Sequence, residues 1–444
     1  MKREMNFPKE LRSLPRVLRL LATITLLNLS SLVHAEQKTN NDHWTVERLT
    51  SEVLSKNPEV QIAQERFDVA SKRVEGAKGR YYPKLSAAST YSKQDNSGSQ
   101  IDSNMNSSIE MPSSDGVTTR ATLQQNLYNG FQDHDRVRQR EIELKKTQLD
   151  VRTSTLSQKE SAIAAIYKIL IVQTDIDNLQ AKLQVEKDRE QEVERKVRSR
   201  LSKSTDLLSL QATRASTESD LASSQLDLET RWQELSMIAG HELRQSRVIQ
   251  PNGVLTSWPQ QLEASDFPEV RAAELDYESA QKSLSATKGQ LQPTVDLSYN
   301  YYLSRPESNR ANKWDLQLTL SIPFPWDKEK AAQVGEQESL VAEKQIVKSK
   351  NALSRQLNLK TLVQSYETDL KRLGTLDDNV KKYERLSFAM KKENLNGLVS
   401  IGEYLQSLTN LLQARQSRDH LRLQLYEKLN RLNEYKIELS KENI

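Results

Sequence analysis

The chain contains one stretch of sequence twice. Residues 57–92 read NPEVQIAQERFDVASKRVEGAKGRYYPKLSAASTYS, and residues 267–302 read FPEVRAAELDYESAQKSLSATKGQLQPTVDLSYNYY. A repeat spacing of 210 residues is far longer than the roughly 20–50 residues of a solenoid unit, so it implies two copies of one large structural half. We therefore predict two structural repeats, residues 36–250 and 251–444. The matching positions are Pro58 and Pro268, Lys78 and Lys288, Gly79 and Gly289, and Pro83 and Pro293.

Each half contains two stretches in which apolar and polar residues alternate, and a proline opens the first of them. Alternation with a period of two predicts β-strands with one apolar face. Strands of roughly 9–11 residues are long enough to cross a bilayer when the strands are tilted. The residues predicted to share the mainly apolar face are Val117, Thr119, Ala121, Leu123 and Leu127 in the first half, and Val295, Leu297, Tyr299, Tyr301, Trp314, Leu316, Leu318, Leu320 and Ile322 in the second.

The remainder of each half is predicted to be a long helical hairpin. No proline lies between Pro112 and Pro251, and no glycine lies between Gly130 and Gly240. Each helical region is interrupted once, at residues 200–204 and 394–397, which predicts two arms of about 55–65 residues, or on the order of 80–100 Å. Apolar residues also recur at sevens, as in coiled coils. These positions are Ile142, Leu149, Leu156, Ile163 and Leu170, then Leu359, Tyr366, Leu373 and Val380.

The first 35 residues have the pattern of a secretory signal peptide: a basic start, an apolar run from Leu20 to Leu29, and a small-residue site at Val33-His34-Ala35. This segment holds six basic and two acidic residues, so the totals of 64 and 60 fall to 58 and 58 in the mature chain. A neutral mature chain argues against nucleic acid as a partner. The chain has no cysteine, and therefore neither disulfides nor thiolate metal sites.

Mean hydropathy is −0.72, which excludes a polytopic helical membrane protein. A membrane β-barrel does not need high hydropathy. Four strands cannot close such a barrel, because an open strand edge is not tolerated in lipid. Other copies of the chain must therefore complete it. Two copies would supply eight strands and three would supply twelve, and both alternatives remain open from the residues alone.

The chain resembles the TolC family of outer-membrane efflux and secretion channels. The resemblance rests on the opening WTVERLTSEVLSKNPEVQIAQ from Trp44, the tandem halves, and the turns Ser204-Thr205-Asp206 and Asn396-Gly397-Leu398. It implies a mixed α/β membrane protein of tandem helix–strand–strand–helical-hairpin halves. Three chains would form a 12-stranded outer-membrane β-barrel, continuous with a long α-helical coiled-coil barrel in the periplasm of a Gram-negative bacterium.

The resemblance also implies a function and partners. The homotrimer would be the exit duct of a tripartite efflux pump or type I secretion system. It would passively conduct substrates delivered by an inner-membrane pump, of RND or ABC type, and a periplasmic adaptor protein. Outer-membrane lipid would surround the barrel. Two rival classes are a periplasmic adaptor, which has one hairpin rather than two, and an exported structural coiled coil.

The hairpin turns carry the candidate site residues, because the family's entrance and adaptor contact lie there. The family's two acidic entrance positions fall on Glu403 and Gln406, of which only the first is acidic. Its Thr-Asp lock falls on Thr205 and Asp206, but the arginine partner falls on Val399. A ring of three Glu403 carboxylates is expected to raise their pKa by mutual repulsion. The alternative for Asp206 and Glu403 is a helix N-terminal acid that favours the dipole. The adaptor-contacting residues are expected to be Arg200, Leu201, Ser202, Ser204, Asn396, Gly397, Leu398 and Ser400.

The strand–helix junctions carry aromatic residues, which predict a belt at the membrane interface, with core packing as the alternative. Nothing in the sequence has the spacing of a catalytic, cofactor or metal site. The five histidines are scattered, and Asp133-His134-Asp135 is interpreted as a helix start with exposed acids. We therefore predict a conduit that is not an enzyme. The belt residues are Tyr81, Tyr82, Tyr128, Phe131, Phe324 and Trp326.

Overall fold

The computed structural model describes residues 43–94, 100–101, 108–109, 114–200, 203–259, 262–305, 312–324 and 328–440. The predicted signal peptide, residues 1–35, lies outside the described residues, as do Leu201, Ser202 and Trp326.

Each half follows the predicted order of helix, two strands and helical hairpin. The helices are α1 (Val46–Ser55), α2 (Pro58–Lys78), α3 (Gln132–Arg198), α4 (Ser204–Ala239), α5 (Pro268–Lys288), α6 (Lys328–Leu395) and α7 (Ile401–Ser440). The strands are β1 (His43–Trp44), β2 (Lys84–Gln94), β3 (Gln100–Ile101), β4 (Ser108–Ile109), β5 (Ser114–Tyr128), β6 (Arg247–Val248), β7 (Thr294–Ser304) and β8 (Trp314–Ser321). This order confirms the mixed fold and its tandem halves. The division of the repeats at residue 250 stays a prediction.

The return arms of the hairpins are shorter than predicted. Helices α3 and α6 have 67 and 68 residues, whereas α4 and α7 have 36 and 40. Two helices placed end to end make each return path. The Asn57 side-chain amide, just before α2, donates to the Ile238 carbonyl at the end of α4 over 2.6 Å. Phe267, just before α5, packs edge-on against Tyr435 of α7, with ring centroids 5.4 Å apart.

The local sequence explains why these paired helices stop and start. Gly240 ends α4 with φ of 72°, a left-handed conformation that favours glycine. Asn57 then caps α2, because its side-chain oxygen accepts the Val60 N–H at 3.1 Å, and Pro58 occupies the first turn. A β-carbon on Gly240 would lie 2.5 Å from Pro58 Cγ, so the two helix ends abut closely.

Two apolar clusters hold the hairpins together. The first joins α1, α3 and α4 around Tyr167, Leu170 and Trp232, and the second joins α5, α6 and α7 around Phe267 and Tyr366. The predicted heptad positions contribute to both. Ile142, Leu156, Ile163, Leu170, Leu359, Tyr366 and Val380 are buried, and Leu149 and Leu373 are half-buried.

The four long strands form one antiparallel sheet in the order β2-β5-β7-β8. Its central pair, β5 and β7, joins the two halves, with Leu123 opposite Tyr299. Strands β2 and β8 are its two edges. Strands β1 and β6 form a separate parallel pair, with His43 opposite Arg247. Among the described residues, no helix combines the length and the apolar character needed to cross a membrane.

Candidate functional site

One face of the four-stranded sheet is apolar and exposed. Leu85, Leu123, Tyr299 and Leu316 face one another in a row across all four strands. Leu85 is 76% exposed and Leu318, farther along β8, is 65% exposed. A continuous apolar surface of this kind is unfavourable in water. It is the expected outer surface of strands that stand in lipid.

The opposite face carries a network of polar side chains. The Thr122 hydroxyl donates to Asn300 Oδ1 over 2.7 Å, and the Asn300 amide donates to Asp315 Oδ1 over 2.8 Å. The Asn126 amide donates to Asp296 Oδ1 over 2.8 Å. These bonds link side chains on neighbouring strands and leave the face hydrophilic. The sheet therefore separates an apolar side from a side suited to water and polar solutes.

Five of the six predicted belt aromatics lie at the ends of the sheet and are exposed. Tyr82 is 69% exposed and Phe131 is 63% exposed, and the rings of Tyr128 and Phe131 meet edge-on at 5.7 Å. Core packing within one chain therefore does not account for them. A location at the membrane interface stays a prediction. The five residues are Tyr81, Tyr82, Tyr128, Phe131 and Phe324.

The prediction of exposed acids at the start of α3 is wrong. Asp135 is only 8% exposed, and it accepts a hydrogen bond from Ser285 of α5. Asp133 accepts from the Asn129 amide over 2.6 Å and lies 3.3 Å from Arg80 Nη1. These acids connect α3 to both halves. The residue just before the helix is Phe131 rather than an acid, and it has a left-handed φ of 62°.

The two halves touch through backbone at the junction of sheet and helices, a contact that the sequence analysis missed. A β-carbon on Gly289 would lie 2.5 Å from the Gly130 carbonyl oxygen, and one on Gly130 would lie 2.8 Å from Gln292 Cβ. Gly130 also has φ of 65°. The repeat of glycine at positions 79 and 289, together with the Asn129-Gly130 turn signal, could have indicated a close approach.

The tip of the second hairpin is a compact turn followed by a capped helix. Gly397 has φ of 76°, and the Leu398 N–H returns to the Glu393 carbonyl over 3.0 Å, as in a Schellman motif. Ser400 then caps α7. Its Oγ accepts the Glu403 N–H at 3.2 Å, and the Glu403 carboxylate accepts the Ser400 N–H at 2.9 Å. This is a capping box.

The capping box determines the titration of Glu403 within the chain. Hydrogen bonds from the Ser400 backbone N–H and hydroxyl stabilise the carboxylate and lower the pKa of Glu403. The expected rise in pKa concerns repulsion between copies in a ring, so it stays a prediction beside the lowered pKa of the single chain. The entrance role of Glu403 stays a prediction beside this capping role. Gln406 donates to Asn410 Oδ1 over 3.1 Å along the same helix.

Substitutions at Glu403 are expected to separate its two roles. Because the pKa of Glu403 is lower in the folded chain, its carboxylate stabilises the fold at pH values above the usual pKa of glutamate. This stability is lost as the pH falls through the pKa of the folded chain. Glu403→Ala should loosen the α7 start at neutral pH, whereas Glu403→Gln should preserve most of the box, because an amide oxygen can accept the same bonds. Limited proteolysis at residues 394–403 measures the loosening. Single-channel selectivity should change in both variants if the charge also lines the entrance. Equal protease resistance in all three proteins would contradict the capping role.

The tip of the first hairpin has a less favourable turn. Arg200 has a left-handed φ of 58°. The Asp206 carboxylate accepts the Lys203 N–H at 3.4 Å, so Asp206 occupies the position of Glu403. The predicted tip residues that the structure describes are all exposed, and their adaptor contacts stay predictions. They are Arg200, Ser204, Asn396, Gly397, Leu398 and Ser400. Thr205 is also exposed, and Asp206 is half-buried.

A contact between the two hairpins lies near their tips. The Arg189 guanidinium of α3 lies 4.7 Å from the ring centroid of Tyr404 in α7 and pairs with Glu192. Farther along the same two helices, Lys159 pairs with Glu434 at 2.9 Å. Arg152 pairs with Glu438 at 2.8 Å, and His420 Nε2 lies 2.6 Å from Asp175 Oδ1. Sequence spacing could not reveal these partners, because they are more than 200 residues apart.

The described part of the chain contains no group of three or more His, Cys, Asp or Glu residues able to hold a metal ion. The described residues form a sheet with one apolar and one polar side. This sheet is connected to long paired helices with exposed turns.

Comparison with solved structures gives the same fold across the chain. The outer membrane protein VceC from Vibrio cholerae is 15% identical, with a TM-score of 0.73 over 89% of this chain and 95% of that chain. The CmeC outer membrane channel of Campylobacter jejuni is 12% identical, with a TM-score of 0.73 over 88% and 85%. The open state of the MtrE outer membrane channel of Neisseria gonorrhoeae is 14% identical, with a TM-score of 0.69 over 89% and 88%.

No curated protein sequence matches the chain. The family model of the outer membrane efflux proteins matches residues 49–241 and 258–435, which include the four-stranded sheet, the first hairpin and all but the last five residues of the second. The resemblance to the TolC channels is thereby confirmed, as are the outer-membrane location and the assignment as a channel rather than an enzyme. The chain belongs to the outer membrane efflux protein family.

Proposed function

We propose that this protein is the outer-membrane exit duct of a tripartite efflux pump or type I secretion system. The observation that carries the proposal is the sheet with one apolar face, one polar face and two open edges. Such a sheet suits a barrel wall with lipid outside and water inside. The long hairpins suit a periplasmic tunnel. A periplasmic adaptor or a structural coiled coil would have no use for this sheet.

The proposed assembly is a homotrimer that closes the sheet edges of β2 and β8. Three copies would give twelve strands, and the edge strands of neighbouring copies would satisfy one another's backbone groups. The hairpin tips would meet a periplasmic adaptor protein, which connects the duct to an RND-type or ABC-type pump. Conduction is passive in this proposal, and the pump selects the cargo.

The internal repeat supplies a template for the joint between copies. Within the chain, Leu123 of β5 pairs with Tyr299 of β7. Leu123 pairs with Leu85, and Leu320 pairs with Val295. Because Leu85 and Val295 are 210 residues apart, Leu320 is the counterpart of Leu123 in the repeat. Ser89 is in turn the counterpart of Tyr299, by the same spacing. If the joint between copies repeats the joint between halves, Leu320 of one copy pairs with Ser89 of the next.

Disulfide cross-linking tests this register, since the chain has no cysteine of its own. Ser89→Cys with Leu320→Cys should oxidise in outer membranes to a covalent trimer on a non-reducing gel. The control is Ser89→Cys with Thr319→Cys, which places the second thiol on the other face of β8 and should not cross-link. Covalent dimers that never extend to trimers would indicate a two-copy ring. Absence of any cross-link would contradict the proposed joint.

Conductance tests the duct itself. The purified assembly should form water-filled pores in a planar bilayer, and deletion of the gene should sensitise the cell to substrates of the pump. A cross-linked trimer that forms no pore under any condition would contradict the proposed channel function but not the proposed trimer.

A further inference from the structure

The internal repeat continues from the strands into the long helices. Lys78 of α2 pairs with Glu141 of α3 at 3.3 Å. The same ion pair recurs in the second half, where Lys288 of α5 lies 2.9 Å from Glu338 of α6. The two short helices are thus related by 210 residues and the two long helices by 197, which is also the spacing between β5 and β8. Each position of α2 and α6 therefore has a counterpart in α5 and α3.

Within the chain, α3 of the first half packs against α5 of the second. Asp135 of α3 accepts a hydrogen bond from Ser285, late in α5. Farther along α3, Lys146 pairs at 3.2 Å with Asp276, which lies earlier in α5. The two helices are therefore antiparallel. If the joint between copies repeats this joint, α6 of one copy packs against α2 of the next.

The faces of α2 and α6 that correspond to this joint are apolar and exposed. Leu156 of α3 is 5% exposed, whereas its counterpart Leu353 of α6 is 57% exposed. Ser279 of α5 is 8% exposed, whereas its counterpart Val69 of α2 is 50% exposed. Exposed apolar side chains at positions that the repeat buries indicate a surface that a further chain covers. The same contrast separates Ile62 from Ala272 and Ile346 from Leu149.

The charges at the two joints are exchanged. Lys146 of α3 corresponds to Glu343 of α6. Asp276 of α5 corresponds to Arg66 of α2. A joint of the same geometry would bring Glu343 of one copy to Arg66 of the next, an ion pair of reversed polarity. A crossed joint, with α2 against α3 of another copy, would oppose Arg66 to Lys146, and these like charges repel.

Side-chain size is exchanged in the same way. One helical turn from the internal ion pair, Ile142 of α3 and Ser279 of α5 lie at the same level of the antiparallel joint, and both are buried. Their counterparts are Ser339 of α6 and Val69 of α2. Within the chain a large residue of the long helix meets a small one of the short helix, and between copies the small residue would lie on the long helix.

The two exchanged charges are accessible. The Glu343 side chain is 56% exposed and lies 3.3 Å from Lys344, its neighbour along the chain. Arg66 is exposed and forms no ion pair among the described residues, although its charge acts on Asp150 of α3. Both side chains can therefore meet a charge on a neighbouring copy.

We propose that α6 of one copy docks against α2 of the next, with Glu343 paired to Arg66 and Ser339 packed against Val69. The inference rests on the proposed function, since it names the helical contacts of the proposed trimer. The exchange of charge and size makes the joint between copies different from the joint within a copy. It therefore favours alternation of first and second halves around the ring.

Charge reversal tests the ion pair. Glu343→Arg should make dissociation of the trimer about tenfold faster, because a modest loss at one exposed pair is repeated at every joint. Arg66→Gln should weaken the trimer in the wild-type background, where it removes an attraction. In the Glu343→Arg background it should strengthen the trimer, because there it removes a repulsion. Light scattering in detergent, as urea is raised, measures dissociation.

Asp68→Arg is the matched control for charge reversal. It makes the same change of charge on α2, at a position whose counterpart Glu278 stays exposed beside the internal joint. This variant should dissociate at the wild-type rate, and Arg66→Gln should weaken it as it weakens wild type.

Proximity is tested separately by disulfide cross-linking. Val69→Cys with Ser339→Cys should oxidise in outer membranes to a covalent trimer, because the internal joint places the counterparts Ser279 and Ile142 at one level. The control, Asp68→Cys with Ser339→Cys, moves one thiol to the exposed side of α2 and should not cross-link.

Two results would overturn the inference: absence of the cross-link between positions 69 and 339, or an effect of Arg66→Gln that has the same sign in both backgrounds. The sheet cross-link between positions 89 and 320 and the pore conductance are recorded in parallel. If the sheet cross-link gives conducting trimers while the helical cross-link fails, only this inference is wrong. If the sheet cross-link also fails, the proposed assembly is wrong.

Discussion

Leu318→Arg is expected to prevent stable insertion of the sheet into the outer membrane. Leu318 lies near the middle of β8 on the apolar face, opposite Leu297, and is 65% exposed in the chain. An arginine that faces lipid near the bilayer midplane costs about 2–4 kcal/mol in a transmembrane barrel. A closed assembly of three chains would incur that cost three times. The yield of folded protein in the outer-membrane fraction, and its unfolding in denaturant after reconstitution, measure the effect.

The neighbouring residue provides the control. Gln317 lies on the polar face, opposite Ser298, so Gln317→Arg adds the same side chain to the same strand but directs it away from lipid. This variant should insert close to wild-type yield and alter only the ion selectivity of the pore. If both variants insert equally well, the assignment of the two faces is wrong.

Gly130→Ala is expected to destabilise the junction of sheet and helices by about 3 kcal/mol. A left-handed conformation costs a residue with a β-carbon about 1–2 kcal/mol, and the added methyl would also be forced into the carbonyl group of Gly289. Both obstacles are backbone, so no side-chain rotation relieves them. The midpoint of denaturant unfolding should fall markedly, and the strand pairing of β5 with β7 should be the first to open.

Gly335→Ala is the matched control for this effect. Gly335 lies inside α6, and a β-carbon there would meet nothing within 4 Å. Alanine is favoured over glycine in helix interiors by up to about 1 kcal/mol, so this variant should be slightly more stable than wild type. A Gly130→Ala protein as stable as Gly335→Ala would refute the close contact between the halves.

Features with a short sequence period were predictable. Alternation placed Leu316, Leu318 and Leu320 on one face, and the structure keeps them there. The seven-residue spacing identified Ile163, Leu170 and Tyr366 as core positions, and all three are buried. These patterns follow from the geometry of one strand or one helix, so each can be recognised without knowing what lies across from it.

Features that depend on distant partners were not predictable. The burial of Asp135 follows from Ser285, and the position of Arg189 follows from Tyr404, each in the other half of the chain. The short return arms depend on α2 continuing from α4, which the hydrogen bond of Asn57 to Ile238 reveals. At the tips, the alternative for Glu403 was a helix N-terminal acid that favours the dipole, and its capping box with Ser400 was not predicted, although a serine three residues before a glutamate is a local signal.

The glycine contact between the halves has a consequence for how copies can meet. Gly289 abuts Gly130, yet its counterpart Gly79, 210 residues earlier, has nothing within 4 Å of where a β-carbon would lie. One copy of the repeat therefore makes this contact within the chain through Gly289, whereas Gly79 of the other copy makes none within the described residues. In the proposed trimer, a bulky residue at Gly79 is expected to leave each chain undisturbed and to block the approach of the neighbouring copy. In that trimer, the same substitution would affect folding at Gly289 but only the packing of copies at Gly79.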